Sequence, residues 1–527
     1  MKMASWLPPL KLSFSVNQFY DLLIMRILSV VIVLLFPFLS IAQKQGNVWC
    51  FGDSAGIDFS NINSPIPIAS SMDGRGSCIS FSDSTGNLLF YANTISTPGH
   101  ATVVWNKNHQ IMQFGDSVVG EAWYKELVTI ENPAYNGEYY LFSLGAAAFY
   151  GCYYSVIDMN QNGGLGAVTQ KNMQLQSFPA IDCVVAIKHG NGRDWWIIFR
   201  KSDYNTGGSN NNFYLYLITP SGISNVQVVS CGTPNPTGFN RLCLSADGTK
   251  LASVNSASLV EVYDFDRCSG NIYNPRTIES QATSFPYIEF WECAFSPNGN
   301  LLYVTQLDTV CTLLQYNLLD TNPAFTKDTL WYFNFPIGSI GAVRKAPDNK
   351  LYVSSAYSNG FTWNYPYPDS MYNMYNMNLS VINQPDSLGA ACDFQPYSFY
   401  LGGKRTYWGL PNNPDYELGP LTGSICDTLT TGIAPQAQTV GVATLHTTYI
   451  RAWQKLFVNA QQVKGKNALL MLYDIQGKEV YRSHKGHASG AGGYYTQDVD
   501  VSNLSNGLYI VTLVTDKEVL SAKFVKN

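Results

Sequence analysis

Polar turns rich in Asp, Asn and Gly alternate along the chain with short runs of aromatic and aliphatic residues. The unit occurs at residues 83–91 (DSTGNLLFY), 135–142 (YNGEYYLF) and 190–199 (GNGRDWWIIF), then at 245–252 (SADGTKLA), 296–304 (SPNGNLLYV) and 346–353 (APDNKLYV). Each predicts a polar turn followed at once by a short strand rich in aromatic and aliphatic residues. With residues 86, 137, 192, 248, 299 and 349 as register marks, successive subtraction gives spacings of 51, 55, 56, 51 and 50. A period near 50 predicts propeller blades, four-stranded antiparallel sheets that bury their faces only against neighbouring sheets. Later strands at 260–265 (VEVYDF) and 313–318 (LLQYNL) fall where such a blade needs them. Six units are visible. A seventh is expected to combine the strand near Trp49 to Phe59 with segments between Leu379 and Leu410, which would join both ends of the ring in one sheet and remove exposed edges. The expectation is an all-β chain with a seven-bladed β-propeller, six or eight blades being the alternatives.

Composition agrees. The 527 residues are 46% hydrophobic, 14% aromatic and 13% charged, with 43 Gly and 34 Tyr, a mixture that suits pleated strands and turns better than helices. The net charge is -5 and the Lys and Arg residues are scattered, so no basic stripe awaits a phosphate backbone. Nucleic acid is therefore not expected as a partner.

Near the start, Met25-Arg26, the apolar run Ile27 to Leu39 and Ser40-Ile41-Ala42 have the order of a secretory signal, with cleavage expected after Ala42. The apolar run is shorter than the roughly 20 residues of a spanning helix. Residues 1–24 fit no part of such a signal and are read as an untranslated extension, Met25 making a normal start. The remaining boundaries follow composition: 43–415 for the propeller, 416–445 for a linker rich in Pro, Gly, Thr and Ser, and 446–527 for a terminal module.

Eleven cysteines lie at 50, 78, 152, 183, 231, 243, 268, 293, 311, 392 and 426, without CxxC pairs or histidines at zinc-ligand spacing. No structural metal and no cofactor are expected. An odd count leaves at least one thiol unpaired within a monomer, and Cys183, Cys243 and Cys293 fall inside apolar strand patterns.

Candidate chemistry is sparse. Asp158-Met-Asn160-Gln-Asn162-Gly163 imitates half of a calcium loop but has Thr169 where the bidentate Glu belongs, so a hairpin turn is the better reading, as it is for Asp264 to Gly270. The turns at Ser245 and Ser296 miss the Asp-box pattern, because Asp247 and Asn298 abut the glycine. His109 and His189 could serve as base or ligand, yet no GxSxG elbow or HExxH pair accompanies them. No catalytic residue is assigned. The segment 365–377 (YPYPDSMYNMYNM) is a proline-broken loop whose Tyr365, Tyr367, Tyr372 and Tyr375 could stack on a sugar or anchor a protein, or fold back and be buried. Trp195 and Trp196 read as blade core and its rim.

The terminal module carries Tyr473 to Val480 (YDIQGKEV), Leu504 to Val511 (LSNGLYIV) and Ala522 to Lys526 (AKFVK), sandwich strands punctuated by Gly477 and Gly507. With these three ordered motifs, residues 452–527 resemble the type A C-terminal sorting domain of the type IX secretion system, which moves cargo across the outer membrane of certain Gram-negative bacteria. The resemblance implies a small β-sandwich, the secretion machinery as partner, membrane contact only through export and surface attachment, and removal of the tail on arrival. It places the sorting signal on Gly477, Lys478, Gly507, Tyr509, Lys523, Phe524 and Lys526.

The body, from Asn47 to Asn413, resembles a family of exported propeller proteins of the same bacteria. The matching runs are 47–59 (NVWCFGDSAGIDF), 102–112 (TVVWNKNHQIM), 154–166 (YSVIDMNQNGGLG), 379–383 (LSVIN) with 388–392 (LGAAC), and 401–411 (LGGKRTYWGLP). That family mostly lacks an assigned activity. The expectation is a secreted or cell-surface binding or adhesion module for a glycan or surface protein; the alternative is a secreted hydrolase or lyase acting on polysaccharide or lactone.

Overall fold

The computed structural model describes residues 44–527 apart from 96–100, 122–123, 147–149, 285–286, 308–309, 334–337, 358–371, 428–442, 466 and 484–492. The expected extension and signal lie outside the described residues. Within them every regular element is a β-strand or a single 3-10 turn, and no helix is long and apolar enough to cross a membrane.

Among the described residues, seven antiparallel sheets follow one another ahead of the terminal module, at 48–73, 78–119, 127–176, 180–235, 240–279, 289–333 and 338–400. The first has three strands, the fourth has five, and the others have four. In six of them the turn between the first two strands carries one of the register marks. Each mark has the positive φ its turn requires: Gly86 98°, Gly137 83°, Gly192 77°, Gly248 70°, Gly299 70° and Asn349 59°. Side chains lock several of these turns. Asp83, Asp247 and Asn298 each accept the backbone N–H two residues on, from Thr85, Thr249 and Asn300 at 2.9, 3.0 and 2.9 Å.

The first strands of successive sheets adjoin in chain order, from Val48–Phe51 and Cys78–Ser82 through Leu127–Glu131, Ala180–Lys188, Asn240–Leu244 and Glu289–Phe295 to Gly338–Lys345. The hydrophobic cores sit between sheets rather than within them. One joins the second, third and fourth sheets, and others join fourth to fifth, fifth to sixth, and sixth to seventh. A further core joins the seventh to the first and second, with Tyr352 edge-on to Trp49 and Phe59 at 5.9 and 5.6 Å. The series of cores therefore returns to its start: the seven sheets form a ring.

Closure uses less of the chain than the sequence suggested. Asn378–Ile382 and Phe394–Tyr400 pair inside the seventh sheet, and the backbone bridge to the first comes from Arg405. Asp53 N–H donates to the Arg405 carbonyl at 3.0 Å, Ala342 N–H to that of Trp408 at 2.7 Å, and Asn412 N–H to that of Cys78 at 2.9 Å. One segment thus bonds the first, seventh and second sheets. Its passage needs glycine: a Cβ on Gly409 would lie 1.8 Å from the Gly76 carbonyl oxygen.

The chain continues along the ring where a linker was expected. Tyr416 is buried against Phe81 and Trp195, at 4.8 and 5.9 Å between rings, and Cys426 is disulfide-bonded to Cys268. Beyond residue 442 a separate β-sandwich forms from Thr444–Ile450, Lys455–Gln461 and Tyr495–Asp500 in one sheet and Leu469–Asp474, Glu479–Ser483, Gly507–Val514 and Val519–Lys526 in the other. Leu456, Val458, Leu470, Leu472, Val511 and Leu513 fill its core.

Gly409→Ala is expected to lower stability by roughly 2–4 kcal/mol, the penalty for forcing an atom into packed backbone. Gly419→Ala, where nothing lies within 4 Å of the added Cβ, should leave the urea midpoint nearly unchanged. Equal midpoints for the two variants would contradict this account of closure.

Candidate functional site

Contacts that skip sheets mark where the first strands converge. Lys125, just ahead of the third sheet, donates from Nζ to the Leu242 carbonyl of the fifth sheet at 2.6 Å and pairs with Glu292 Oε1 of the sixth at 3.3 Å. Arg344 of the seventh reaches Glu292 Oε2 at 3.2 Å. Arg241 grips Asp182 through both guanidinium nitrogens, at 2.5 and 3.2 Å. Aromatic rings surround these cations. The Arg241 guanidinium lies 5.3 Å from the rings of Tyr124 and Trp291, and that of Arg75 lies 4.8 Å from Trp408 while donating to the Tyr124 hydroxyl at 2.8 Å.

Burial and pairing pull these acids in opposite directions. For Glu292 burial would raise the carboxyl, but Arg344, Lys125 and Arg241 outweigh it and hold it below its ordinary value. For Asp182 burial dominates and pushes the carboxyl up to about 6, with Arg241 pulling it back in part. Both acids have their oxygens committed to cations, which suits charge balance in a buried site better than proton transfer.

The strand ends also enclose a cavity of ≈ 270 Å³. Lys125, Cys243, Cys293, Arg344, Asn412 and Glu417 are among the residues that line it. Asn412 fixes the segment beside this cavity by donating from Nδ2 to the carbonyls of Leu127 and Val184 at 2.8 and 2.7 Å.

None of Lys125, Asp182, Arg241, Glu292 and Arg344 was singled out from the sequence. The signal was present as a charged residue intruding on an otherwise apolar first strand: Asp182 in AIDCVVAIK, Arg241 in NRLCL, Glu292 in EFWECAF and Arg344 in GSIGAVRK. Such an intrusion has no cause in strand periodicity and needs a partner from another sheet.

The residues that were singled out lie elsewhere. Tyr365 and Tyr367 are outside the described residues. Tyr375 stacks on Tyr357 at 5.6 Å and meets Tyr397 edge-on at 5.2 Å. Tyr372 is 37% exposed, with its ring 4.3 Å from the Arg405 guanidinium and its hydroxyl donating to Asp53 at 3.2 Å. His109 sits on an exposed turn at φ 61°, with Nδ1 3.1 Å from the Tyr91 hydroxyl. His189 accepts the Asn191 N–H at Nδ1, so its Nε2 donates to the Cys268 carbonyl, and both bonds are structural. Asp158 accepts from the Asn160 backbone and from the Gln161 side chain, as a turn residue does. Among the described residues no group of three or more His, Cys, Asp or Glu could hold a metal. Asp158 also faces Glu138 across paired strands. Burial first and Asp158 second push Glu138 up to about 7, against a bond from Asn132.

In the terminal sandwich Tyr509 stacks on Phe524 at 5.1 Å inside the core, and Lys526 Nζ donates to the carbonyls of Val501, Ser502 and Leu504 at 2.7, 3.1 and 2.7 Å. Gly477 turns the chain at φ 80°, and Lys478 and Lys523 are exposed. Residues 453–527 match the family of secretion system C-terminal sorting domains. The chain thus carries a type IX sorting domain, which implies interaction with that secretion machinery and export to the medium or the cell surface. No curated protein matches the chain. Solved structures similar to it include a provisionally assigned 6-phosphogluconolactonase of Bacteroides fragilis NCTC 9343, at 12% identity over 69% of this chain and 96% of that one, TM-score 0.42. Another is the periplasmic gluconolactonase of Pseudomonas aeruginosa, at 13% identity over 65% and 94%, TM-score 0.41. At these values nothing about activity carries over.

Two substitutions test the electrostatics with opposite signs. Glu292 has a depressed value, so its stabilisation is present above the ordinary carboxylate range and fades as pH falls; Glu292→Gln should cost roughly 3–5 kcal/mol at pH 7 and less in acid, read from urea unfolding. Glu138 has a raised value, so its penalty is absent below its ordinary range and grows as pH rises through about 7. Glu138→Gln should therefore stabilise by roughly 1–2 kcal/mol at pH 8 and by almost nothing at pH 4, after allowance for solvent screening.

Proposed function

We propose that the chain is an exported binding protein. A secretory signal at 25–42 starts it on its route, a seven-bladed propeller forms its body, and the sorting domain completes export. The ring then presents its loops to a glycan or a surface protein at the cell exterior. The observation that supports binding over turnover is the commitment of Asp182 and Glu292 to Arg241, Lys125 and Arg344. A general acid or base must be able to exchange a proton with substrate, and a carboxylate clamped at both oxygens is poorly placed to do so. The loop carrying Tyr365, Tyr367, Tyr372 and Tyr375 is the proposed contact region. Of these, Tyr372 offers an exposed aromatic face beside a cation, a pairing suited to a sugar ring or an acidic glycan.

One observation favours a second reading, a hydrolase or lyase of polysaccharide or lactone. Burial leaves Asp182 with a carboxyl near 6, within reach of proton transfer at neutral pH.

A glycan array and a turnover screen on the full chain separate the two. Binding without turnover, with Tyr372→Ala weakening the array signal about tenfold, is the expected result. Turnover abolished by Asp182→Asn in a variant that retains its fold would replace the binding reading with the enzymatic one.

A further inference from the structure

Three successive first strands each carry a cysteine. Cys183 is the fourth residue of Ala180–Lys188 and Cys243 the fourth of Asn240–Leu244, while Cys293 is the fifth of Glu289–Phe295, where the register shifts between Phe290 and Glu292. Cys183 is turned to backbone and accepts the Leu242 N–H at Sγ, 3.2 Å away. Cys243 and Cys293 face one another across adjoining strands with their sulfurs 3.1 Å apart. Both line the central cavity.

We propose that Cys243 and Cys293 are joined as a disulfide that staples the first strands of the fifth and sixth sheets. The sulfurs need close by only about 1 Å to reach bonding distance, a movement two Cβ–Sγ rotations can supply. The proposal rests on the export reading for one thing, the presence of an oxidant, and the chemical class required is a disulfide or disulfide-bearing oxidoreductase. One cysteine attacks the oxidant, forming a mixed disulfide and expelling a thiol. The second attacks the mixed disulfide, forming the Sγ–Sγ bond and expelling the other thiol. Two electrons pass to the oxidant, and the two cysteine protons end on its two thiols.

The surroundings set when this happens. Burial, with the Cys243 thiol beside it, pushes the Cys293 thiol well above its ordinary value, so the thiolate that exchange requires is scarce once the ring is closed. The bond is made while the sheets assemble and is afterwards shielded from reductant. Cys268 and Cys426 are only half-buried, so their disulfide stays open to attack.

The full chain is refolded in mixed oxidised and reduced glutathione, then denatured without reductant in iodoacetamide, digested and analysed by mass spectrometry. The expected result is two linked peptide pairs, Cys243 with Cys293 and Cys268 with Cys426, and label on the remaining 11 − 4 = 7 cysteines. Adding reductant to the folded chain should free Cys268 and Cys426 and leave the inner pair linked. In Cys243→Ser, Cys293 should become labelled; this variant assigns the link even if Cys293→Ser fails to fold. Label on both Cys243 and Cys293 in the refolded wild type, or a Cys183–Cys243 link in its place, overturns the proposal. Refolding supplies the oxidant directly, so this result stands apart from export. In chain recovered from the medium of a host with the type IX pathway, an intact outer pair with a labelled inner pair sinks the disulfide alone, whereas absence of the chain from the medium sinks the export reading alone.

Discussion

A sheet in this ring has two apolar faces and no core of its own, so each is stable only while both neighbours are in place. That requirement passes round all seven sheets and ends on residues 405–412, which meet the seventh, first and second sheets at once. They back the core in which Tyr352 of the seventh sheet packs edge-on to Trp49 and Phe59 of the first, and Leu410 is buried within it. Backbone crowding follows from the same constraint. Three first strands and a closing segment meet near the axis, which is why Gly76, Gly341 and Gly409 stand there: a Cβ on Gly341 would lie 2.5 Å from the Trp408 carbonyl oxygen. The chain cannot leave the ring directly after closing it, either. Asn412 bonds the third and fourth sheets, Tyr416 enters their shared core, and the Cys268–Cys426 disulfide holds the end of the run.

Convergence also explains the buried charges. Apolar side chains pointing to the axis from seven directions would collide in some layers and leave gaps in others, while long cationic side chains can reach across. Lys125 spans from the third sheet to the fifth and sixth, and Arg344 joins it on Glu292. Desolvating such ions is costly, and pairing offsets that cost only when the geometry is met. The pairs therefore act as a register device: a sheet displaced by one residue would leave a charge buried and alone.

Much of the ring was legible in the sequence because its commonest turn has a strict chemical demand. A positive φ followed at once by a strand selects Gly or Asn, and the six marks from Gly86 to Asn349 all fall on the turn between first and second strands. The first sheet was harder. It is built from Val48–Phe51, Asp53–Asp58 and Ile66–Asp73, with Gly52 between its first two strands in place of the repeated polar turn, and its completion depends on residues some 350 positions away that form a single bridge, Asp53 with Arg405. Composition misjudged residues 416–427 for a related reason. Pro, Gly and Thr mark a segment without periodic strands, but a segment can be aperiodic and still packed when its partners are already built. The axial charges were invisible to periodicity altogether, since pairing across sheets leaves no trace at fixed spacing. The sorting tail, by contrast, was readable because its motifs are local: a turn at Gly477 and the strand that carries Phe524 and Lys526 into the sandwich; Gly507, expected at a second turn, instead opens the strand Gly507–Val514 and pairs with Lys526.

How the tail meets the ring bears on whether one can be lost without the other. The outer strand of the third sheet, Ala167–Gln176, is bridged at its start by Gln113, whose carbonyl accepts the Val168 N–H at 2.9 Å; farther along, the edge pairs with no other strand of the described residues, and such an edge invites pairing with another chain. Here it is met by a side chain instead of a strand: Asn459 accepts the Lys171 N–H at 2.9 Å and donates to the Lys171 carbonyl at 2.8 Å. A small patch of Val119, Tyr153, Ile450 and Phe457 packs beside it. Every other apolar residue of the sandwich core is satisfied within the sandwich, and the cores of the ring close without it. Asn459 Nδ2 also reaches Met173 Sδ at 3.7 Å, Lys171 Nζ lies 6.0 Å from the Phe457 ring, and Trp453 packs against the patch. The sorting domain thus has a core of its own and meets one edge of a ring whose cores close without it.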